Sequence, residues 1–207
     1  MTLKIGVLAS GRGSNLQALL DAIEAGTVDG QVVLVVSDRQ NAQALERASA
    51  KSIPAVHLSP KNYSDRAAYD RALAALFKER GAEAVVLAGY MRIISKSFLE
   101  AFPEKVVNIH PALLPAFPGL HGQKQALDYG VRYSGCTVHF VDEGMDTGPI
   151  ILQAVVPVED DDTEETLAAK ILKEEHRLLP QAIQLFSQGR LRVEGRKVRI
   201  LKEKPTL

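Results

Sequence analysis

Cysteine is almost missing from this chain. A single Cys136 among 207 residues rules out any disulfide within the chain and makes a reducing, cytoplasmic setting the simpler expectation. An excess of one charge is missing too. Lysine plus arginine and aspartate plus glutamate number 25 each, so no overall field favours nucleic acid or an anionic membrane surface, and an anionic ligand must be caught locally. The apolar opening, residues 1–9, is strand-like and too short for a signal peptide or a membrane span. Internal repeats, low-complexity stretches and clear linkers are absent as well, and the length suits one α/β domain with a sizeable core.

Several kinds of chemistry are excluded in the same way. No His, Cys and carboxylate set has metal-ligand spacing, so no metal is expected. No Gly-x-Ser-x-Gly elbow frames a serine nucleophile, and Cys136 has no basic neighbour in sequence to activate it. The glycine loop at Gly11 and Gly13 lacks the third glycine of a dinucleotide fingerprint, since position 16 is Leu16, and it lacks the Gly-Lys-Ser/Thr ending of a phosphate-binding P-loop.

What is present is alternation. Residues 3–9 read as a buried strand and Ser10-Gly11-Arg12-Gly13-Ser14-Asn15 as a tight loop, after which Leu16, Leu19, Leu20 and Ile23 recur at helical spacing. Residues 32–36, 42–50 and 55–57 repeat strand, helix, strand. A helix over 65–80 stops at Gly81, strands follow at 84–88 and 105–109, and a short helix over 95–102 lies between them. Strands separated by helices imply right-handed crossovers and a mainly parallel sheet with helices on both faces. Beyond residue 110 prolines and glycines predict a long irregular loop; strands at 136–141 and 149–158 and a long helix over 163–188, kinked or divided at Pro180, complete the body. The basic tail, residues 190–207, reads as a hairpin or edge strand turning at Gly195.

Two places carry chemistry. A loop between a first strand and its helix aims backbone N–H groups and the positive end of the helix dipole at whatever lies above the sheet, and phosphate suits it; Gly13 allows close approach, while Ser14 and Asn15 add side-chain donors. The same glycines also serve an ordinary tight turn. Asp38, near the end of the second strand, keeps a nucleotide-binding reading open beside that of a solvated strand end. In Val106-Val107-Asn108-Ile109-His110-Pro111, strand alternation puts Asn108 and His110 on one face at the carboxyl end of a parallel strand, where open sheets bind ligands. An amide donor beside an imidazole suits acyl transfer: one group bonds a developing oxyanion and the other moves a proton. Asp146, in the loop between the late strands, can favour the protonated imidazole or relay a proton through water, although Asp and Gly are also plain turn residues.

Asn108-Ile109-His110-Pro111-Ala112-Leu113-Leu114-Pro115, the following Phe117-Pro118-Gly119-Leu120-His121, and the spacing to Asp142-Glu143-Gly144-Met145-Asp146-Thr147-Gly148 together resemble the signature of the formyltetrahydrofolate-using transferases. With Gly11-Arg12-Gly13-Ser14-Asn15-Leu16 in front, the resemblance runs from the first strand to the late helix. It implies transfer of the formyl group of 10-formyltetrahydrofolate, a co-substrate, to the amine of glycinamide ribonucleotide, with no covalent enzyme intermediate and no metal. It further implies that His110 is the proton donor, that Asn108 bonds the formyl oxygen, and that Asp146 tunes His110 and orders a water. Gly13, Ser14 and Asn15 would hold the phosphate, and Glu175 the ribose hydroxyls. Met91, Arg92, Ile93, Ile94, Asp142, Glu143, Gly144 and Met145 would receive the folate ring, and Arg66 its tail. Thr137, His139 and His121 are expected behind the reacting groups, and His57 in a surface or packing role. The whole chain is expected to form one domain, residues 1–105 binding nucleotide phosphate and residues 106–207 carrying catalysis and folate. Small-molecule partners, and a monomer or weak homodimer, are expected.

Relatives sharing Asn, His and Asp leave the acceptor open. A methionyl-tRNA formyltransferase is expected to carry a further C-terminal barrel and a basic surface, and a formyltetrahydrofolate hydrolase an N-terminal regulatory domain; a chain of 207 residues with zero formal charge matches neither expectation. A nucleotide sensor that binds without catalysis is the remaining alternative.

Overall fold

The computed structural model describes residues 2–202. The first half is built from βα units: β1 (Leu3–Leu8), α1 (Ser14–Glu24), β2 (Gly30–Ser37), α2 (Gln43–Ala50), β3 (Ala55–His57), α3 (Arg66–Glu79), β4 (Ala84–Leu87), α4 (Lys96–Ala101) and β5 (Val106–His110). After a loop come α5 (Gly122–Tyr129), β6 (Tyr133–Phe140), β7 (Ile150–Pro157), α6 (Glu164–Ser187), β8 (Leu191–Glu194) and β9 (Lys197–Ile200). The nine strands among the described residues join one sheet in the order β3-β2-β1-β4-β5-β6-β7-β9-β8. The first five are parallel; β6 runs antiparallel to both β5 and β7, and β8 is antiparallel to β9.

The strands are apolar on both sides because both faces are covered. Ile5, Val7, Val86, Val107 and Ile109 face a core that includes Leu16, Leu19, Ile171 and Leu179 from α1 and α6, whereas Leu8, Leu34, Val36, Val85 and Leu87 face Leu73, Phe77 and Phe98 from α3 and α4. This is the alternation expected of a doubly covered parallel sheet. The chain order reverses between β1 and β4, so the loops leaving those strands open a crevice at their carboxyl ends, the usual ligand position in open sheets.

Three expectations are corrected. The stretch after β5 is not irregular throughout: α5 occupies Gly122–Tyr129, closed by Gly130 at φ 78°. Of its side chains only Ala126 is buried, so it carries almost no apolar periodicity to detect. The sixth strand begins at Tyr133 rather than Cys136, because Tyr133 pairs with Pro157 and extends the ladder with β7. Pro180 does not divide the late helix. α6 is one element of 24 residues, started by a Thr163–Thr166 capping box, and Pro180 is buried in it together with Leu178, Leu179, Ala182 and Ile183. Burial of that face outweighs the one helical hydrogen bond that proline cannot donate. The tail hairpin forms as expected over β8 and β9 with Gly195 in the turn; residues 203–207 lie outside the described residues. No described helix is long and apolar enough to cross a membrane.

Candidate active site

Asn108 and His110 close β5 on the same side, and neighbouring strands fix them: Asn108 is paired with Leu87 on β4 and His139 on β6, and His110 with Thr137. Both side chains line a cavity of about 550 Å³ bounded by the loop after β4, the loop after β5 and the loop between β6 and β7. A second cavity, about 450 Å³, lies between α6 and the turn at Thr27 and Val28 and contains none of the expected site residues.

His110 is only 5% exposed. Its Nε2 is 2.8 Å from the carbonyl oxygen of Phe117 and its Nδ1 is 3.3 Å from Oδ2 of Asp146. Each ring nitrogen therefore faces an acceptor, an arrangement in which a doubly protonated ring has both N–H groups bonded. The backbone N–H of Gly119 donates to the same carboxylate oxygen at 2.8 Å, and Asp146 itself stands in the left-handed region, φ 54°. Burial alone pushes the Asp146 carboxyl up, but the His139 imidazole, the Gly119 N–H and the charge of His110 outweigh it and hold Asp146 below the usual carboxylate value.

Asn108 is more committed than the sequence suggests. Its amide nitrogen is 3.1 Å from Nε2 of His139 and 3.4 Å from Oδ1 of Asp146. His139 donates through Nδ1 to the carbonyl of Phe140 at 2.8 Å, which leaves Nε2 to accept from Asn108 in the neutral ring. Nε2 also lies 3.7 Å from Oδ1 of Asp146. A carbonyl oxygen entering beside Asn108 must take the longer of the two amide bonds.

Thr137 is fully buried behind this group and outside the cavity wall; its hydroxyl donates to the carbonyl of Ala112 at 2.7 Å and accepts from the N–H of Leu114 at 3.0 Å. His121 is not packed behind the catalytic group. It is exposed at the cavity mouth in a left-handed conformation, preceding α5. Cys136 is buried, which pushes its thiol up to about 12 and removes it as a nucleophile.

Of the residues expected around a flat ring, Met91, Arg92, Ile93, Ile94, Asp142, Gly144 and Met145 line the cavity. Glu143 does not: it is exposed, with Lys96 3.8 Å away. Arg66 stands exposed at the first turn of α3, outside the cavity wall, while Arg92 lies over the ring of Tyr69, 5.4 Å from its centre. Asp142 serves its own loop, accepting from the Gly144 N–H at 3.1 Å and the Thr147 hydroxyl at 2.6 Å. Exposed Met91, Ile93, Leu120 and Met145 give the mouth an apolar rim. Sequence reasoning missed Tyr90, Leu120, Gln123 and Val141 in the wall and the backbone groups of Phe117 and Gly119. Main-chain partners leave no side-chain signature; only the Pro and Gly density of that loop hinted at them.

The glycine loop sits beside this cavity. Ser10 accepts from the Met91 N–H at 3.0 Å, and its own N–H donates to the Gly89 carbonyl at 3.1 Å, so the loops leaving β1 and β4 are laced together. Gly13, at φ 69°, precedes α1, whose first turn has no side-chain cap and therefore presents its N–H groups. Ser14 starts the helix and is half-buried. Asn15 is buried and donates to Oε2 of Glu175 at 2.8 Å, while its Oδ1 is buried without a partner. Glu175, on α6, is 7% exposed; burial raises its carboxyl above the usual value, and the Asn15 bond only partly opposes this. His57 is exposed on β3. Among the described residues no group of three potential metal ligands converges.

A family model described as formyl transferase matches residues 3–183. The chain belongs to the formyl transferase family. It is 43% identical over 180 residues to a Bacillus subtilis phosphoribosylglycinamide formyltransferase, covering 87% of this chain and 92% of that protein. A crystal structure of glycinamide ribonucleotide transformylase 1 from Symbiobacterium toebii superimposes with a TM-score of 0.96 at 54% identity, covering 97% of this chain and 95% of that one. A trifunctional purine biosynthetic protein, adenosine-3, from Drosophila pseudoobscura pseudoobscura is 49% identical over 191 residues; the match takes in 91% of this chain and 14% of that much longer protein. The family places the fold and the formyl chemistry together.

Proposed function

We propose that this chain transfers the formyl group of 10-formyltetrahydrofolate to the primary amine of glycinamide ribonucleotide, yielding formylglycinamide ribonucleotide and tetrahydrofolate. The observation that carries the reading is the convergence of Asn108, His110 and Asp146 on one cavity wall. End-to-end similarity to a bacterial phosphoribosylglycinamide formyltransferase supports the choice of acceptor.

The apolar cavity receives the folate ring, Met91, Ile93 and Met145 covering its faces, with Arg66 and Arg92 available to the acidic tail. The first turn of α1, with Gly13, Ser14 and Asn15, takes the ribonucleotide phosphate, and Glu175 the ribose hydroxyls. The amine then attacks the formyl carbon and the carbonyl π electrons move to oxygen. Imidazolium at His110 and one N–H of Asn108 stabilise that oxygen, and Asp146 balances the imidazolium charge. Collapse re-forms the carbonyl, breaks the bond from carbon to the folate nitrogen, and leaves the amine proton, passed by way of His110, Asp146 and water, on that nitrogen. No metal takes part. The partners are small molecules, and the enzyme works in the cytoplasm as a monomer or weak homodimer.

The test is direct: purified protein, glycinamide ribonucleotide and 10-formyltetrahydrofolate should give the formylated nucleotide and tetrahydrofolate. Formate released without nucleotide would make the chain a hydrolase. Binding of both ligands with no product would make it a sensor.

A further inference from the structure

Three side chains stand in one row across the antiparallel part of the sheet. His110 on β5 is directly opposite Thr137 on β6, and Thr137 is directly opposite Gln153 on β7. Residues opposed in this way project on the same face, so the row runs from the reacting imidazole to an exposed amide two strands away.

The loop that leaves His110 folds back across this row. Thr137 Oγ1 donates to the Ala112 carbonyl and accepts from the Leu114 N–H, and Nε2 of Gln153 donates to the Leu114 carbonyl at 2.9 Å and to Thr137 Oγ1 at 3.0 Å. The threonine hydroxyl, one donor and two acceptor sites, is thereby filled, and both amide hydrogens of Gln153 are used. A turn from Leu113 to Ala116, N to O 3.0 Å, then brings Phe117 in at φ 54° with its carbonyl on Nε2 of His110. The loop is pinned at 112, at 114 and, through the imidazole, at 117.

We propose that Gln153 is a positioning residue for His110: its amide fixes the Leu114 carbonyl and so delivers the Phe117 carbonyl to Nε2, which keeps Nδ1 aimed at Asp146. Removing the amide leaves Thr137 to hold the segment alone, and the carbonyl that orients the ring loses its fixed place. The proposal rests on His110 being the reacting imidazole of the proposed function.

The variants are Gln153→Met, similar in length with no donor, and Gln153→Ala. Val155→Ala, next on the same exposed face, is the control, since Val155 is 61% exposed and outside the cavity wall. Steady-state kinetics and the ¹H,¹⁵N imidazole resonances of His110 in the ligand-free protein are the two readouts. Both Gln153 variants should lose about tenfold or more in kcat, the scale of a reacting group displaced by a fraction of an ångström, with KM for the ribonucleotide almost unchanged. The Nε2–H signal should move toward that of an unbonded imidazole or vanish into solvent exchange, and Val155→Ala should change neither readout. A wild-type kcat in Gln153→Met, or a reduced kcat with His110 resonances unmoved, overturns the proposal. If wild-type protein fails to formylate the nucleotide, the functional reading falls, and the resonances alone decide whether Gln153 orients His110.

Discussion

The N–H of Gly119 donates to Oδ2 of Asp146 at 2.8 Å, the same oxygen that stands 3.3 Å from Nδ1 of His110. One carboxylate oxygen thus serves the loop after β5 and the imidazole at its root, so the geometry of the loop and the charge on the ring are linked through Asp146. Replacing Asp146 with Asn removes the charge and keeps the shape. We expect kcat to fall about 10²-fold or more in Asp146→Asn and in His110→Ala, with nucleotide affinity retained, measured by steady-state turnover and by calorimetric titration of the ribonucleotide.

The same carboxylate makes an acid-side stability prediction. Its folded pKa is depressed, so its contribution to stability is complete above the unfolded value of about 3.9 and is lost as pH falls through the lower folded value. The stability gap between wild type and Asp146→Asn should therefore be largest near neutrality and narrow below about pH 4. Denaturant titrations at a series of pH values from acid to neutral check it.

Glu175 works in the opposite direction. Burial raises its folded pKa, so stability declines as pH rises from the ordinary glutamate value through the raised one. Glu175→Gln keeps an acceptor for Asn15 and removes the buried charge. Its melting temperature should equal that of wild type in acid and exceed it at pH 8, while affinity for the ribonucleotide falls. Thermal melts across pH together with nucleotide titrations separate the two effects.

The two glycines of the first loop should behave differently. A Cβ on Gly13, already at φ 69°, would lie 2.7 Å from Cβ and 2.8 Å from Cα of Ala44, whereas a Cβ on Gly11 meets nothing within 4 Å. Gly13→Ala should cost about 2 kcal/mol or more and weaken phosphate binding; Gly11→Ala should be nearly silent for stability. Denaturant midpoints and titration with the ribonucleotide test the pair.

Among the described residues, β9 pairs with β7 at Ile150 and Lys197, and the Arg196 guanidinium donates to the Thr147 carbonyl at 3.2 Å. Both contacts fall where the loop carrying Asp146 rejoins β7. Arg196→Ala should change stability by less than about 1 kcal/mol, as for an exposed hydrogen bond, yet raise KM for the formylfolate several-fold by loosening that wall of the cavity. Steady-state kinetics with each substrate varied in turn check it.

The sequence carried the parallel half of the fold well because helical and strand periods alternate cleanly from residue 3 to residue 110, and most of its turns, though not the one between β2 and α2, have a glycine or proline. It missed α5, whose face is mostly polar; it placed the long late helix, but tertiary burial keeps Pro180 inside one element where division was one of the two outcomes expected. At the site, strand alternation put Asn108 and His110 on one face, and the structure brings Asp146, singled out in the loop between the late strands, within reach of both. Their partners were less so. The Phe117 carbonyl and Gly119 N–H are main-chain atoms, Gln153 is an outward residue on a late strand, and the inner position given to His121 failed because local spacing says nothing about which way a residue in a left-handed turn projects.

The doubly engaged amide of Asn108 means that the unliganded pocket has no idle donor at that point. On the proposed reading, a carbonyl oxygen that takes this hydrogen leaves Oδ1 of Asp146 without its Asn108 partner, while Oδ2 keeps the Gly119 N–H and the His110 ring. On that reading, seating the formyl group and rearranging the hydrogen bonds of Asp146 are then a single event.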